Sequence, residues 1–173
     1  MEIRFLTADD VDEYWRIRLE ALESDPEAFS SSVDQHRVLT LDEVRRRLGA
    51  EDRDMFVVGA FADGQLVGTA GFHRAKGRKV RHKGRIWGVY VAAGQRGCGV
   101  GRKMLEKVLE RAASIDGLQQ VLLSVTVTQT AAAHLYRSLG FTPFGREPRA
   151  LQVNGRFIDE EYLMLHLGNG GGQ

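Results

Sequence analysis

Apolar positions along this chain change their period several times, and each change marks an element. Glu2 to Leu6 reads as a short strand. Val11, Tyr14, Trp15, Arg18, Leu19 and Leu22 then recur at helical spacing behind Thr7-Ala8-Asp9-Asp10, which has the form of a capping box. That helix is expected to end near Ser24-Asp25-Pro26, and Glu27 to Arg37, polar and irregular, reads as a loop. Thr40-Leu41-Asp42-Glu43 is a second capping box, opening a short helix to Leu48 with Gly49 at its end.

The middle of the chain switches to strand periods. Asp54 to Ala62 and Gln65 to His73 flank Asp63-Gly64, a hairpin signal, and a third strand follows at about Arg85 to Ala92. Met104, Leu105, Val108, Leu109 and Ala112 form one apolar helical face. Gln120 to Val127 reads as a buried strand, and Ala131 to Leu139 as a helix stopped by Gly140. Phe141 to Val153 and Arg156 to Leu167 flank Asn154-Gly155, a second tight hairpin. The predicted order is βααβββαβαββ, without internal repeats or a linker that would divide the chain. Residues 1–167 are therefore expected to form a single domain, followed by a flexible glycine-rich tail over 168–173.

Composition narrows the class. The 173 residues can bury a sizeable core, and 43% hydrophobic with 27% charged residues is ordinary for a globular protein. No apolar run approaches the roughly 20 residues of a membrane span, and the N-terminus lacks a signal-peptide pattern. A single cysteine excludes an internal disulfide, and a cytoplasmic location is expected. Five histidines and one cysteine have no metal-ligand spacing, so no metal is expected. The net charge of +1 is unevenly spread: Arg74 to Arg85 holds seven Lys/Arg and no acid. This reads as a solvated loop. It lacks interleaved aromatics, which disfavours nucleic acid as a partner.

The candidate chemistry lies in Gln95-Arg96-Gly97-Cys98-Gly99-Val100-Gly101, between a strand and a helix. Strand, glycine loop and helix together hold phosphate, because loop N–H groups and the positive helix end point at the ligand. A P-loop is excluded, since Gly94 and Gly99 are followed by Val100-Gly101 rather than Lys and Ser or Thr. A dinucleotide fingerprint fails as well, because Arg102 stands where the third glycine belongs. What remains is R-x-x-G-x-G at Arg96, Gly99 and Gly101. About thirty residues on comes Gln129-Thr130-Ala131-Ala132-Ala133-His134-Leu135-Tyr136-Arg137-Ser138-Leu139-Gly140-Phe141.

Together these two segments resemble the GCN5-related N-acetyltransferase (GNAT) superfamily, over about Ile3 to Leu167. The resemblance implies an α+β fold: a central, mostly antiparallel twisted sheet of six to seven strands, flanked by about four helices. It implies acetyl coenzyme A as cosubstrate, with its pyrophosphate cradled by Arg96, Gly97, Cys98, Gly99, Val100, Gly101 and Arg102. It implies that Val89-Tyr90-Val91 splays from its neighbour and binds the pantetheine arm through its backbone, with one N–H at the thioester oxygen. Tyr136 falls on the position of the family's tyrosine near the sulfur, where a neutral phenol can protonate the departing thiolate. A core aromatic packed with Ala132, Leu135 and Leu139 is the other reading of Tyr136. Gln129 stands where the family often has asparagine, and either amide can contact the coenzyme. Cys98 fills a variable position and reads as a spacer.

The general base is not identifiable in the sequence. Leu122-Leu123-Ser124-Val125-Thr126 holds no acid, which leaves His73, His82, Asp159, Glu160 or Glu161, or a chain of waters. The resemblance places acceptor recognition at Glu27 to Asp34 and around Arg149 to Glu161. The carboxylates of the first segment would suit a cationic amine. The function expected is transfer of an acetyl group to a small-molecule or protein primary amine by direct attack on the thioester. A non-catalytic acyl coenzyme A sensor is the alternative, no membrane partner is expected, and a homodimer stays open.

Overall fold

The computed structural model describes residues 1–49 and 52–168. Of the expected tail only Gly168 is described; 169–173 lie outside. Seven strands are present among the described residues: β1 Glu2–Phe5, β2 Met55–Ala62, β3 Gln65–Arg74, β4 Lys83–Val91, β5 Gln120–Thr126, β6 Thr142–Val153 and β7 Arg156–His166. They form one sheet in the order β1-β2-β3-β4-β5-β7-β6. Every neighbouring pair is antiparallel except β4 and β5. Both hairpins form as the sequence predicts, with positive φ at Asp63 and Gly64 and at Asn154 and Gly155.

Among the described residues five α-helices accompany the sheet: α1 Val11–Ser24, α2 Val33–Arg37, α3 Leu41–Gly49, α4 Val100–Ala113 and α5 Thr130–Ser138. The capping box at Thr40 is complete: Glu43 accepts the Thr40 N–H at 2.7 Å, and the Thr40 hydroxyl accepts the Glu43 N–H at 3.2 Å. The helix α2 corrects the expected loop over Glu27 to Arg37. Its cause is a third box, in which the Ser32 hydroxyl accepts the Gln35 N–H at 3.2 Å and Gln35 returns the bond to the Ser32 N–H at 2.8 Å. The Ser-x-x-Gln signal is there in the sequence, masked by the polar composition around it.

Helices cover both faces of the sheet, and each face has its own core. On one face α4 and α5 bury Met104, Leu105, Val108 and Tyr136 against Val58, Phe72, Val121 and Leu163. On the other α1 and α3 bury Tyr14, Ile17, Val44 and Leu48 against Val57, Phe61, Leu66 and Tyr90. Burial of this kind contributes about 25 cal/mol per Å² of apolar surface.

The decisive irregularity lies in β4. It pairs with β5 only over Lys83↔Gln120, Gly84↔Val121 and Arg85↔Leu122. Beyond Arg85 the two strands part. On its other side β4 pairs with β3 through a bulge: Thr69 faces Tyr90 and Gly71 faces Trp87, so Ala70 stands opposite both Gly88 and Val89. Gly88 has φ +61, the left-handed residue of a bulge that bends a strand and increases its twist. The Thr69 hydroxyl donates to the Gly88 carbonyl at 3.1 Å and holds the bulge in place. The bend turns β4 away from β5 and opens a wedge in the middle of the sheet.

Candidate active site

The glycine loop sits at the end of the parted strand. Gly97 and Gly99 both have positive φ, 76 and 77, so the chain turns sharply into α4. A Cβ at either position would meet nothing within 4 Å, so the loop surface is open there. The first bond of α4 runs from the Lys103 N–H to the Gly99 carbonyl at 3.1 Å. The N–H groups just before it have no intrahelical acceptor and mark an anion-binding helix start. Val100 is buried, so only its backbone faces the loop, whereas Cys98 is exposed.

Arg96 braces the loop. Its Nε donates to the Val91 carbonyl at 2.8 Å, and its guanidinium donates to the Asp25 carboxylate at 2.5 Å. It also lies over the Tyr90 ring at 5.5 Å. These bonds tie the loop to the end of β4 and to the residue after α1. Arg102 turns the other way, donating to the Ser138 hydroxyl at 2.6 Å.

Together with Gly101, Arg102 draws the two sequence motifs together. A Cβ on Gly101 would lie 3.2 Å from Leu135 Cδ2 and 3.7 Å from Val91 Cγ2, so α4 starts in close contact with both α5 and β4. In β4 the side chains alternate. Val89 and Val91 pack toward the α4 and α5 core, while the buried Tyr90 belongs to the opposite core and donates to Glu20 at 3.0 Å. The edge of β4 that faces the wedge is therefore left to its backbone.

Tyr136 is 6% exposed and packs edge-on against Phe141, with ring centroids 6.1 Å apart. Among the described residues its hydroxyl has no hydrogen-bond partner. Burial pushes its phenol well above the ordinary tyrosine value and keeps it neutral. It is both a core aromatic and a proton-bearing group. Gln129 stands at the start of α5, where its carbonyl accepts the Ala133 N–H at 3.0 Å. Its amide makes no capping bond.

A cavity of about 560 Å³ opens on the face of α1 and α3, lined where it meets the wedge by Trp87, Gly88, Ser124 and Glu160. Ala28, Phe29, Ser30 and Ser31 line it, so part of the expected acceptor segment does reach it. Glu27 and Asp34 do not, and the expected carboxylate wall is not formed. In its place stand Arg18, Arg47, Arg85, His36 and His73, with Glu160 the one carboxylate of the lining among the described residues. Arg18 and His36 escaped the sequence reading of the site. Arg18 sits at helical spacing from Tyr14 and Leu22, both apolar lining residues, and a cation on an apolar stripe was the available signal.

The candidate bases separate by location. His73 and Glu160 line the cavity. Asp159 accepts from the Arg149 N–H at 2.9 Å and from the Arg146 guanidinium at 2.8 Å, and these bonds, the first above all, hold it below the usual carboxylate range. Glu161 is bound to Arg137. His82 lies outside the lining. Burial, with Arg85 and Lys76 nearby, lowers His73 and favours its neutral form. Among the described residues no three metal-binding side chains stand together, and no helix is long and apolar enough to cross a membrane.

Comparison with known proteins agrees with this geometry. An acetyltransferase of the GNAT family from Streptococcus pneumoniae superposes with a TM-score of 0.86 at 26% identity, covering 95% of this chain and 98% of that one. A putative acetyltransferase from Salmonella typhimurium, solved with its cofactor acetyl coenzyme A, has the same fold, with a TM-score of 0.83 at 24% identity over 100% and 97% of the two chains. The L-methionine sulfoximine/L-methionine sulfone acetyltransferase of Pseudomonas aeruginosa is 35% identical over 46% of this chain and 45% of its own length. The N-alpha-acetyltransferase RimI of Mycobacterium tuberculosis is 37% identical over 57% and 59%. The chain thus spans about half the length of these curated relatives. A family model matches residues 14–141, from α1 through the loop to the end of the second motif, and by that match the chain belongs to the acetyltransferase (GNAT) family.

Proposed function

We propose that this chain is an acetyl coenzyme A-dependent N-acetyltransferase working by direct attack of an amine on the thioester. One observation carries the reading. The β4–β5 ladder ends at Arg85↔Leu122, and the freed edge of β4 runs straight into a loop of unpartnered N–H groups. A long anionic ligand fits that path, with its pyrophosphate on residues 97–102 and its pantetheine arm along Val89-Tyr90-Val91. The thioester would then lie in the wedge, between the cavity and α5. The relatives are named for acetylation of L-methionine sulfoximine or sulfone and for N-alpha-acetylation, so they support amine acylation without choosing the amine.

In this reading the amine nitrogen enters from the cavity and forms the new C–N bond while the C–S bond breaks. A β4 backbone N–H stabilises the oxyanion. The ammonium proton leaves toward Glu160 or His73, directly or through water. The thiolate takes its proton from Tyr136, whose phenol stays neutral through burial. A sensor that only binds the coenzyme would need no acceptor cavity beside the wedge.

The test is turnover of acetyl coenzyme A with a panel of amines, by release of free thiol. Tyr136→Phe should lower kcat on the order of 10²-fold while the dissociation constant for coenzyme A changes little. Coenzyme binding without transfer to any amine would favour the sensor. Unchanged kcat in the Phe variant would remove Tyr136 from the chemistry.

A further inference from the structure

We propose that the acceptor carries a carboxylate beside its amine, and that Arg18 is the residue that holds it. This deepens the acetyltransferase reading and rests on it for the position of the amine.

Three observations converge on Arg18. It lines the cavity from α1, and its Nη1 is buried without a hydrogen-bond partner among the described residues. Other arginines of this chain have carboxylates: Arg4 has Asp10, Arg16 has Glu13 and Glu20, Arg96 has Asp25. Arg18 forms no ion pair among the described residues. A guanidinium keeps its charge when buried, and leaving one without a counter-anion is costly. An oxyanion from outside the chain is the natural occupant.

Position gives the second argument. A Cβ on Gly88 would lie 3.7 Å from Arg18 Nη1, so the guanidinium rests against the bulge that opens the wedge. A carboxylate bound there lies beside the wedge proposed for the thioester. That placement suits an amine one carbon away from the carboxylate, as in an α-amino acid. Phe29 lies over the guanidinium, 4.7 Å from its carbon to the ring centroid, and fixes its plane without using a donor. A fixed fork favours bidentate recognition of a planar carboxylate.

The rest of the lining supplies the third argument. Arg47 and Arg85 reinforce the positive potential, and the His36 Nε2 is a second buried atom without a partner. Glu160, the one carboxylate of the lining among the described residues, can receive the ammonium end. A wall of this charge disfavours a polyamine, which carries cations at every anchoring point.

The experiment compares acceptors in matched sets. The common L-amino acids, their carboxamides, their decarboxylated amines and the aminophosphonate analogues are each assayed for kcat and KM. The best amino acid should exceed its carboxamide and its decarboxylated amine in kcat/KM by about 10²-fold or more, because the analogues leave a buried charge unpaired. Arg18→Ala should erase most of that preference and act mainly on KM. Arg18→Lys should restore part of it, at a melting temperature close to wild type. Binding of the N-acetylated amino acid, followed by calorimetry, reads the same subsite without turnover.

Equal kcat/KM for acid and carboxamide would overturn the proposal. So would an equal loss of activity toward every acceptor in Arg18→Ala, or a preference for phosphonates with no response to carboxylates. If no amine is acetylated but N-acetyl amino acids bind in an Arg18-dependent manner, the acetyltransferase reading fails and the carboxylate subsite stands. If nothing carboxylated binds while amines are acetylated, the subsite fails and the enzyme reading stands.

Discussion

Arg96 and Asp25 meet across 71 positions of sequence, joining the glycine loop to the end of α1 through a 2.5 Å hydrogen bond. Asp25 has a half-buried side chain, 23% exposed, so the contact is worth more than a freely solvated pair. Because Arg96 also holds the Val91 carbonyl, it sets the angle between strand and loop. Arg96→Ala should weaken coenzyme A binding about tenfold, equivalent to about 1.4 kcal/mol. Asp25→Asn should produce a smaller loss in the same direction. Isothermal titration with coenzyme A measures both, and equal affinity in wild type and Arg96→Ala would remove the bracing role.

Gly88 provides a backbone test. Its φ of +61 belongs to a conformation that side chains adopt at a cost. Gly88→Ala should lower stability by about 1–2 kcal/mol. The new methyl would also stand beside Arg18 Nη1 and raise acceptor KM more than coenzyme KM. Denaturant unfolding and steady-state kinetics read the two effects separately. A bulge that merely decorates the sheet would leave acceptor KM unchanged.

The tyrosines predict the alkaline behaviour of the fold. Tyr14, Tyr90, Tyr136 and Tyr162 are all shifted upward: Tyr14, Tyr90 and Tyr136 mainly by burial, Tyr162 mainly by its bond to Glu147. A raised folded-state value means that the folded protein keeps its proton longer than the unfolded chain. The stabilisation is therefore complete below the unfolded value of about 10 and is lost as pH rises beyond it. Melting temperature should stay level from pH 8 to about 10 and then fall. Tyr136→Phe should flatten part of that fall, and kcat should show no alkaline decline from Tyr136 below pH 10.

The acid limb depends on different groups. The bond from Arg4, then that from the Thr7 N–H, holds Asp10 below its ordinary value against the opposing effect of burial. Glu13 is lowered in the same way, first by Arg16 and then by the Leu66 N–H. These contributions are present above the unfolded carboxylate values near 4 and disappear as pH falls through the lower folded ones. Asp10→Asn should cost about 1 kcal/mol near neutrality and less at pH 3. A constant difference across that range would place the effect outside the carboxylate charge.

Most of the architecture is legible in the sequence because it rests on local signals. The two Asx-Gly turns, the Thr40 box and the apolar face of α4 each act within a few residues. The loop and the α5 motif are legible as a pair for the same reason. What escaped depends on partners far along the chain. Gly88 becomes a bulge only against Thr69 and Ala70 of β3. Arg18 becomes a cavity residue only when Phe29 and β4 close around it. The charge of the cavity is not legible locally, because Glu27 and Asp34 neighbour its lining in sequence without joining it, whereas Arg47 and Arg85 arrive from α3 and β4.

The two separate cores have an evolutionary consequence. In the proposed reading the donor end draws its support from α4 and α5, and the acceptor end from α1 to α3, with the sheet as a partition between them. Because the cores are separate, changes confined to the α1–α3 face leave the packing of α4 and α5 untouched. Asp25 is the toll on that freedom: any replacement for the first helix must still present a carboxylate to Arg96 at its end. With that strut kept, the face proposed for the acceptor can change while the glycine loop keeps its brace.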